Sequence, residues 1–367
     1  MIDHSLSADE LVRYSQQIKL PDIGLSGQEK LRNARVLCIG LGGLGSPLLL
    51  YLAAAGVGRL GIVDDDLVEL SNLQRQILYR QPQVGLQKSA AATAQLLALN
   101  PSIHVDSYSE RLTEENASKL ISQYDIVADG SDNFYTRYLI HDTCFELEKP
   151  YVYASASQFQ GSCSIFYSSK GPCLRCLFPE PPDNNIIPNC AAGGVIGVLP
   201  GILGTIQASE IIKWILKIGN SLEKRLLIID LLKMTFKEIH LYQNPDCKLC
   251  VHRQPLSKLV RPLNCQSPVN LKNYSITPEH LLELLQQNSS ITLIDVRSTK
   301  EHEAHNIGGK ILPLTELPHR LSELDPNQNI ILYCHSGNRS ISALNILLKA
   351  GFTSVKYLIN GIDKIII

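Results

Sequence analysis

The sequence predicts an α/β protein of more than one domain, each built on parallel strands. Three observations carry that reading. Residues 35–66, RVLCIGLGGLGSPLLLYLAAAGVGRLGIVDDD, read as strand, glycine turn, helix and strand. A further apolar run over 124–129, YDIVAD, ends in the polar loop Gly130-Ser131-Asp132-Asn133. From Tyr274 a second, smaller series of strands and helices begins, and 367 residues suffice for two or three cores.

Taken in order, residues 7–18 have a helical apolar pattern, with Ser7 as cap and Glu10 at capping-box spacing. Residues 35–40 are a short apolar run of the kind that forms a buried parallel strand. It ends at Gly40, Gly42, Gly43 and Gly45, which permit a tight turn and close backbone approach to a phosphate. A helix over 46–55 follows, with Pro47 tolerated in its first turn. Its free N–H groups and dipole face an anion held above the turn. The strand over 60–63 delivers Asp64, placed where a carboxylate accepts from ribose hydroxyls. This is a nucleotide site, and the motif alone does not separate ATP from NAD.

Downstream lie Ser71-Asn72-Leu73-Gln74-Arg75-Gln76, then Lys88, which opens a helix over 89–99. Arg75 as a fork and Lys88 as a point charge are suited to a polyphosphate; a solvated surface charge is the plain alternative for either. Asp132 follows the carboxyl end of a strand, where open α/β sheets place ligands. It can hold Mg²⁺ on phosphates or cap the helix over 133–144, and the two roles are compatible.

Ten cysteines in a chain with a polar N-terminus and no apolar run of roughly eighteen residues point to a reducing, cytoplasmic setting. The net charge of −1 gives no reason to expect nucleic acid or a membrane surface as partner. Thiols then call for metal binding or sulfur chemistry. Cys173-Leu174-Arg175-Cys176 and Cys247-Lys248-Leu249-Cys250 supply four thiolates, enough for a closed structural zinc site tying two distant segments together. A redox pair or a disulfide is the alternative. Cys190 sits in a Gly-rich stretch before an apolar helix over 204–216. A lone cysteine is more often a small buried hydrophobe, and the residues alone favour that for Cys190. Cys38, Cys144 and Cys163 fall in apolar patterns and read as core.

Residues 252–273, with three prolines and no sustained period, read as a linker between a domain over 1–251 and another over 274–367. In the second, Thr277 caps a helix to 287 with Pro278 in its first turn. Strands over 291–294 and 330–333 follow, the latter running into Cys334-His335-Ser336-Gly337-Asn338-Arg339-Ser340 and a helix over 340–349. Cys334 thus lies at a strand's carboxyl end, in a loop closed by a helix N-terminus beside Arg339. That setting favours an anionic sulfur and reads as a nucleophile.

On GLGGLGS (40–46), SNLQRQ (71–76), Lys88, SDN (131–133) and the two C-x2-C pairs, residues 7–250 resemble the MoeB/ThiF family of activating enzymes. On IDVRSTKEHE (294–303), NIGGKILPL (306–314) and CHSGNRS (334–340), residues 274–367 resemble a rhodanese domain. The resemblance implies a Rossmann-like ThiF fold with structural Zn²⁺, plus a small α/β rhodanese domain. It implies that ATP adenylates the C-terminal glycine of a ubiquitin-like sulfur carrier, and that a persulfide on Cys334 then yields a thiocarboxylate. Gly40, Gly42, Gly43, Gly45, Asp64 and the segment Ser71, Asn72, Leu73, Gln74, with Arg75, Lys88 and Asn133, would bind the nucleotide. Asp132 would work with Mg²⁺, Arg339 would serve Cys334, and Cys190 aligns with the position able to bond covalently to the activated carrier. The sulfur donor would be thiosulfate or a cysteine desulfurase, and the chain a homodimer.

Two departures stand out. Gln16 occupies the place of a family arginine that reaches across a dimer to ATP, and Asn306 replaces a histidine common in rhodaneses. The competing readings are a non-catalytic carrier-binding module and an NAD-dependent oxidoreductase with a fused rhodanese. A phosphatase role for the Cys334 loop is disfavoured, because four residues separate Cys334 from Arg339 and phosphate-sized loops carry five.

Overall fold

The structure is a computed structural model that describes residues 6–167, 171–179, 194–256, 259, 274–286, 291–335, 337–359 and 361–362. The chain divides into two compact units, Met1–Pro262 and Leu263–Ile367. Cys190, Cys265 and most of the expected linker lie outside the described residues. Among the described residues, no helix is long and apolar enough to cross a membrane.

The first unit opens with α1 (Ala8–Arg13), α2 (Ser15–Ile18) and α3 (Gly24–Asn33). Ser7 and Glu10 form the expected capping box. The single helix expected over 7–18 is broken at Tyr14, whose backbone leaves helical geometry. The tyrosine is buried, and its hydroxyl accepts from Asn100 Nδ2 at 2.8 Å. Tertiary anchoring of one side chain thus overrides local propensity.

Strands β1 (Arg35–Ile39), β2 (Arg59–Val63), β3 (His104–Tyr108), β4 (Ile126–Asp129) and β5 (Tyr151–Ser157) pair in parallel in the order β3-β2-β1-β4-β5. The sheet then continues antiparallel through β6 (Gln160–Phe166), β7 (Arg225–Asp230) and β8 (Thr235–His240). Helices α4 (Gly45–Ala55), α5 (Lys88–Leu99), α6 (Ala117–Ile121) and α7 (Phe134–Glu146) connect the parallel strands, with α8 (Leu174–Leu177) and α9 (Val198–Leu216) following. Two apolar cores result. One holds α4, α5 and α9 against the sheet, and the other holds α6 and α7. Parallel strands covered on both faces explain why β1, β2 and β4 read as unbroken apolar runs.

The helix expected over 204–216 begins six residues earlier, at Val198. A Cβ on Gly204 would stand 2.3 Å from the Leu44 carbonyl oxygen. Glycine here lets α9 cross close against the start of α4.

The second unit is a five-stranded, all-parallel sheet of order β11-β10-β12-β13-β9. Its strands are β9 (Ser275–Ile276), β10 (Ile291–Asp295), β11 (Lys310–Ile311), β12 (Asn329–Tyr333) and β13 (Val355–Leu358). Helices α10 (Pro278–Gln286), α11 (Thr299–Ala304) and α12 (Asn338–Lys349) complete it. The Thr277 hydroxyl accepts from the His280 N–H at 3.3 Å, as its capping role requires.

Candidate functional sites

The first site lies beyond the carboxyl ends of β1, β2 and β4. Gly40 has φ +93°, and a Cβ there would stand 2.6 Å from the Gly130 carbonyl carbon. A Cβ on Gly45 would stand 2.2 Å from the Gly40 carbonyl oxygen. The turn after β1 and the loop after β4 therefore cross at bare backbone, which brings Ser131 and Asp132 to the glycine turn. Gly43 faces Pro200 and the stem of Arg75. Gln74 packs against Gly197, which leads into α9.

Asp64 ties the turn to β2: its carboxylate accepts from the Leu41 N–H at 2.8 Å and the Asp66 N–H at 2.9 Å. Burial pushes this carboxyl above its ordinary value, against the pull of Lys88 and those two donors. Lys88 is itself buried, with Nζ 2.8 Å from Asp66 and 4.0 Å from Asp64. The expected phosphate cation is thus paired with carboxylates after β2, and this one short contact leaves donors of its ammonium for a further acceptor. Arg75 donates from Nη1 to the Ser71 carbonyl at 3.1 Å and is only partly buried. Asn72 is buried, accepting from the Glu69 N–H at 3.0 Å and so shaping the Leu70–Asn72 turn. Leu73 packs against the core and Ser71 is exposed.

Asp132 is exposed, and the capping role offered for it belongs to Asn133, which accepts from the Thr136 N–H at 2.9 Å. That correction removes the structural explanation of the Asp132 carboxylate. Below it lies a network that the sequence reading missed. Asp129 is fully buried and accepts from the Tyr151 hydroxyl at 2.5 Å and from both the N–H and hydroxyl of Ser131. Arg137 on α7 donates to the Ser131 carbonyl at 3.2 Å, and its guanidinium lies over the Phe134 and Tyr153 rings. Burial raises the Asp129 carboxyl, against the pull of Arg137, Ser131 and Tyr151. The signal available was an aspartate closing an apolar strand and an arginine one turn into a buried helix.

Gln16 is exposed, and the nearby Arg13 donates to the Leu99 carbonyl at 3.0 Å, against the end of α5.

Cys173, Cys176, Cys247 and Cys250 converge as expected. Three Sγ···Sγ separations are 3.9, 3.6 and 3.4 Å. A tetrahedron of 2.3 Å Zn–S bonds has edges of about 3.8 Å, so number, softness and spacing of the donors all fit zinc. The Asn244 N–H points to Cys176 Sγ and Gln243 Nε2 to Cys250 Sγ, each at 3.4 Å, hydrogen bonds that favour the thiolate form of a metal-binding sulfur. Cys38, Cys144 and Cys163 are buried core thiols, and burial pushes all three up.

A second unforeseen network joins this cluster to α7. Arg175, inside the first C-x2-C, forks onto the buried Asp142 at 2.9 and 2.8 Å, and His141 Nε2 accepts from the Leu174 N–H. Burial pushes the Asp142 carboxyl up, but Arg175 and His141 outweigh it and hold it at about 2. A carboxyl depressed in the folded state contributes stability above its unfolded value that is lost as pH falls through the folded one. Between pH ~4 and ~2 this group alone removes on the order of 2 kcal/mol, and Asp142→Asn flattens that part of the acid-unfolding curve followed by circular dichroism.

The third site is the loop after β12. Cys334 is buried, and its Sγ accepts from the Gly337 N–H at 3.1 Å. Arg339, in the first turn of α12, forks onto Glu301 of α11 through Nη1 at 2.9 Å and Nη2 at 2.7 Å. Arg297 forks onto Asp295, whose Oδ2 also contacts His302 Nδ1 at 2.8 Å. The expected cysteine, helix N-terminus and arginine are together, but the guanidinium is committed to a carboxylate that the sequence reading did not single out.

The ThiF family model matches residues 14–249, and the rhodanese-like domain model matches residues 277–366. The chain belongs to the ThiF family. Its second unit is a rhodanese-like domain. A Mycobacterium tuberculosis protein named "Probable adenylyltransferase/sulfurtransferase MoeZ" is 40% identical over 365 residues, covering 98% of this chain and 93% of the relative. The Arabidopsis thaliana protein named "Adenylyltransferase and sulfurtransferase MOCS3" is 36% identical, covering 99% of this chain and 84% of the relative. A Thermus thermophilus protein named "Sulfur carrier protein adenylyltransferase" is 47% identical over 247 residues, covering 66% of this chain and 91% of the relative. Among solved structures, E. coli MccB with MccA-N7isoASN has a TM-score of 0.59 at 22% identity, covering 68% of this chain and 76% of that one, a likeness of fold.

Proposed function

We propose that this enzyme adenylates the C-terminal glycine of a ubiquitin-like sulfur carrier with ATP and then converts it to a thiocarboxylate with sulfur carried on Cys334. The observation that carries the reading is the crossing of the Gly40–Gly45 turn with the Ser131–Asp132 loop, in a chain that continues into the Cys334 loop. The relatives' names support both activities.

In this reading the N-terminus of α4 receives the phosphates, and Asp64 takes the ribose hydroxyls on lone pairs left beside Leu41 and Asp66. Arg75 and Lys88 neutralise the polyphosphate as the carrier's carboxylate attacks the α-phosphorus and pyrophosphate leaves. Asp132 would hold Mg²⁺, which supplies charge neutralisation on the phosphates. In-line attack needs positioning more than proton transfer. The Cys173, Cys176, Cys247 and Cys250 cluster would hold Zn²⁺ with no open position, and its role is stability. The chain acts as a homodimer of a cytoplasmic pathway, and Cys190 is the residue able to bond covalently to the activated carrier. An oxidoreductase would leave Arg75, Lys88 and Asp132 without a task.

Pyrophosphate exchange into ATP, stimulated by a carrier ending in Gly-Gly, tests the first half. Asp132→Asn and Arg75→Ala should each lower exchange by roughly a hundredfold with little change in melting temperature. No carrier-dependent exchange by intact wild-type protein would favour the binding-module reading.

A further inference from the structure

We propose that Arg137 is a positioning residue for adenylation: through the network it shares with Asp129 it fixes the Ser131 peptide, so that the Asp132 carboxylate is presented to Mg²⁺ on the bound nucleotide. The inference rests on the adenylation reading above and adds a residue to it.

Three observations carry it. Ser131 is held at both ends: its N–H donates to the buried Asp129 carboxylate at 2.8 Å, and its carbonyl accepts from Arg137 Nη2 at 3.2 Å. The Ser131 hydroxyl donates to the same carboxylate oxygen at 2.6 Å. On the far side of Asp132, the Asn133 side chain accepts from the Thr136 N–H and fixes the start of α7. The backbone is thus pinned immediately before and after Asp132, whose own side chain is exposed. Beneath it, Arg137 Nε lies 4.0 Å from Asp129 Oδ2, and both side chains are almost wholly buried.

Stability alone is a poor reason for such a pair. Taking a carboxylate and a guanidinium out of water costs about as much as their attraction returns, and apolar residues of similar volume often serve folding equally well. An apolar pair cannot hold a peptide carbonyl in one orientation. Asp129 is held in turn by the Tyr151 hydroxyl on its carboxylate and by Gln207 Nε2 on its backbone carbonyl. Arg137 is seated over the Phe134 and Tyr153 rings. Contacts from β5, α7 and α9 therefore converge on the peptide that joins Ser131 to Asp132. Mg²⁺ demands near-octahedral geometry and takes few protein carboxylates, so it is sensitive to where each one stands. A loop free to turn would weaken Mg²⁺ without disturbing the glycine turn, Asp64 or Lys88.

The test is calorimetric binding of ATP to the full, zinc-loaded chain, with Mg²⁺ and without added divalent cation. Mg²⁺ should tighten ATP binding by wild type roughly tenfold, and Asp132→Asn should bind ATP about equally in both conditions. Arg137→Gln should lose most of that gain while its Mg²⁺-free affinity stays within a factor of about two. Arg137→Gln/Asp132→Asn should bind no more weakly than Asp132→Asn, because a residue acting through Asp132 then has nothing left to position. Asp129→Asn/Arg137→Met removes both charges and keeps the volume. It should melt near wild type and still lose the gain, which a merely structural role would not produce. Ile121→Ala, in α6 of the core that α6 and α7 share, should melt lower and keep the gain. A folded Arg137→Gln with the wild-type gain, or losses that add in the Arg137→Gln/Asp132→Asn protein, would overturn the proposal and leave the adenylation reading to the exchange assay. Wild type binding ATP equally with and without Mg²⁺ would overturn it as well. No ATP binding by wild type in either condition would overturn both. Should Arg137→Gln fail to fold, the Asp129→Asn/Arg137→Met protein decides.

Discussion

Replacing Cys334 by alanine should abolish sulfur transfer to the carrier and leave its adenylation unchanged. The thiol is the group proposed to carry sulfur, with the Gly337 N–H directed at it. Neither serine nor water can hold a sulfane sulfur, so the loss should reach the detection limit. The substitution removes one buried atom from a packed position, and the stability cost is about 1 kcal/mol, too little to unfold the domain. Carrier-dependent pyrophosphate exchange depends on a different unit and should stay within a factor of about two. Thiocarboxylate formed by the Cys334→Ala protein would assign sulfur delivery elsewhere, with Cys190 the first residue to test.

Removing zinc should produce the largest stability change. The two C-x2-C segments lie 74 residues apart and meet at the sulfurs and a small apolar cluster that includes Leu249 and Leu259. By loop-closure entropy, losing a cross-link of that span costs about 4 kcal/mol, apart from the repulsion among uncoordinated thiolates. For a unit of this size the melting temperature should fall by roughly 10 °C on chelation, and Cys247→Ser should match it. Elemental analysis should find one zinc per chain, released with that transition. A chelated sample that melts unchanged would leave the cluster as packed thiols with no metal role.

How much of this was legible in the sequence depends on the kind of feature. The glycine turn, Asp64, the paired C-x2-C motifs and the Cys334 loop were readable because local chemistry dictates them: a turn that admits no Cβ, a donor set counted by residue type, and a helix start beside a cysteine. What escaped were partnerships made by the fold. Tyr14 breaks its helix because Asn100 waits for it. Asn133 takes the cap and frees Asp132. Asp142 meets Arg175 across 33 residues, and Arg339 meets Glu301 across 38. No spacing rule reaches those distances. The helix boundary at Val198 was hidden for another reason, since glycine and proline read as loop until a neighbouring helix explains them.

The most direct test of the central claim is the intact mass of a Gly-Gly carrier after incubation with the wild-type chain, Mg-ATP and a sulfur donor. The account predicts a carrier whose terminal carboxylate has exchanged one oxygen for sulfur, formed only when both ATP and donor are present. A carrier that emerges unmodified from a zinc-loaded, folded sample would contradict it.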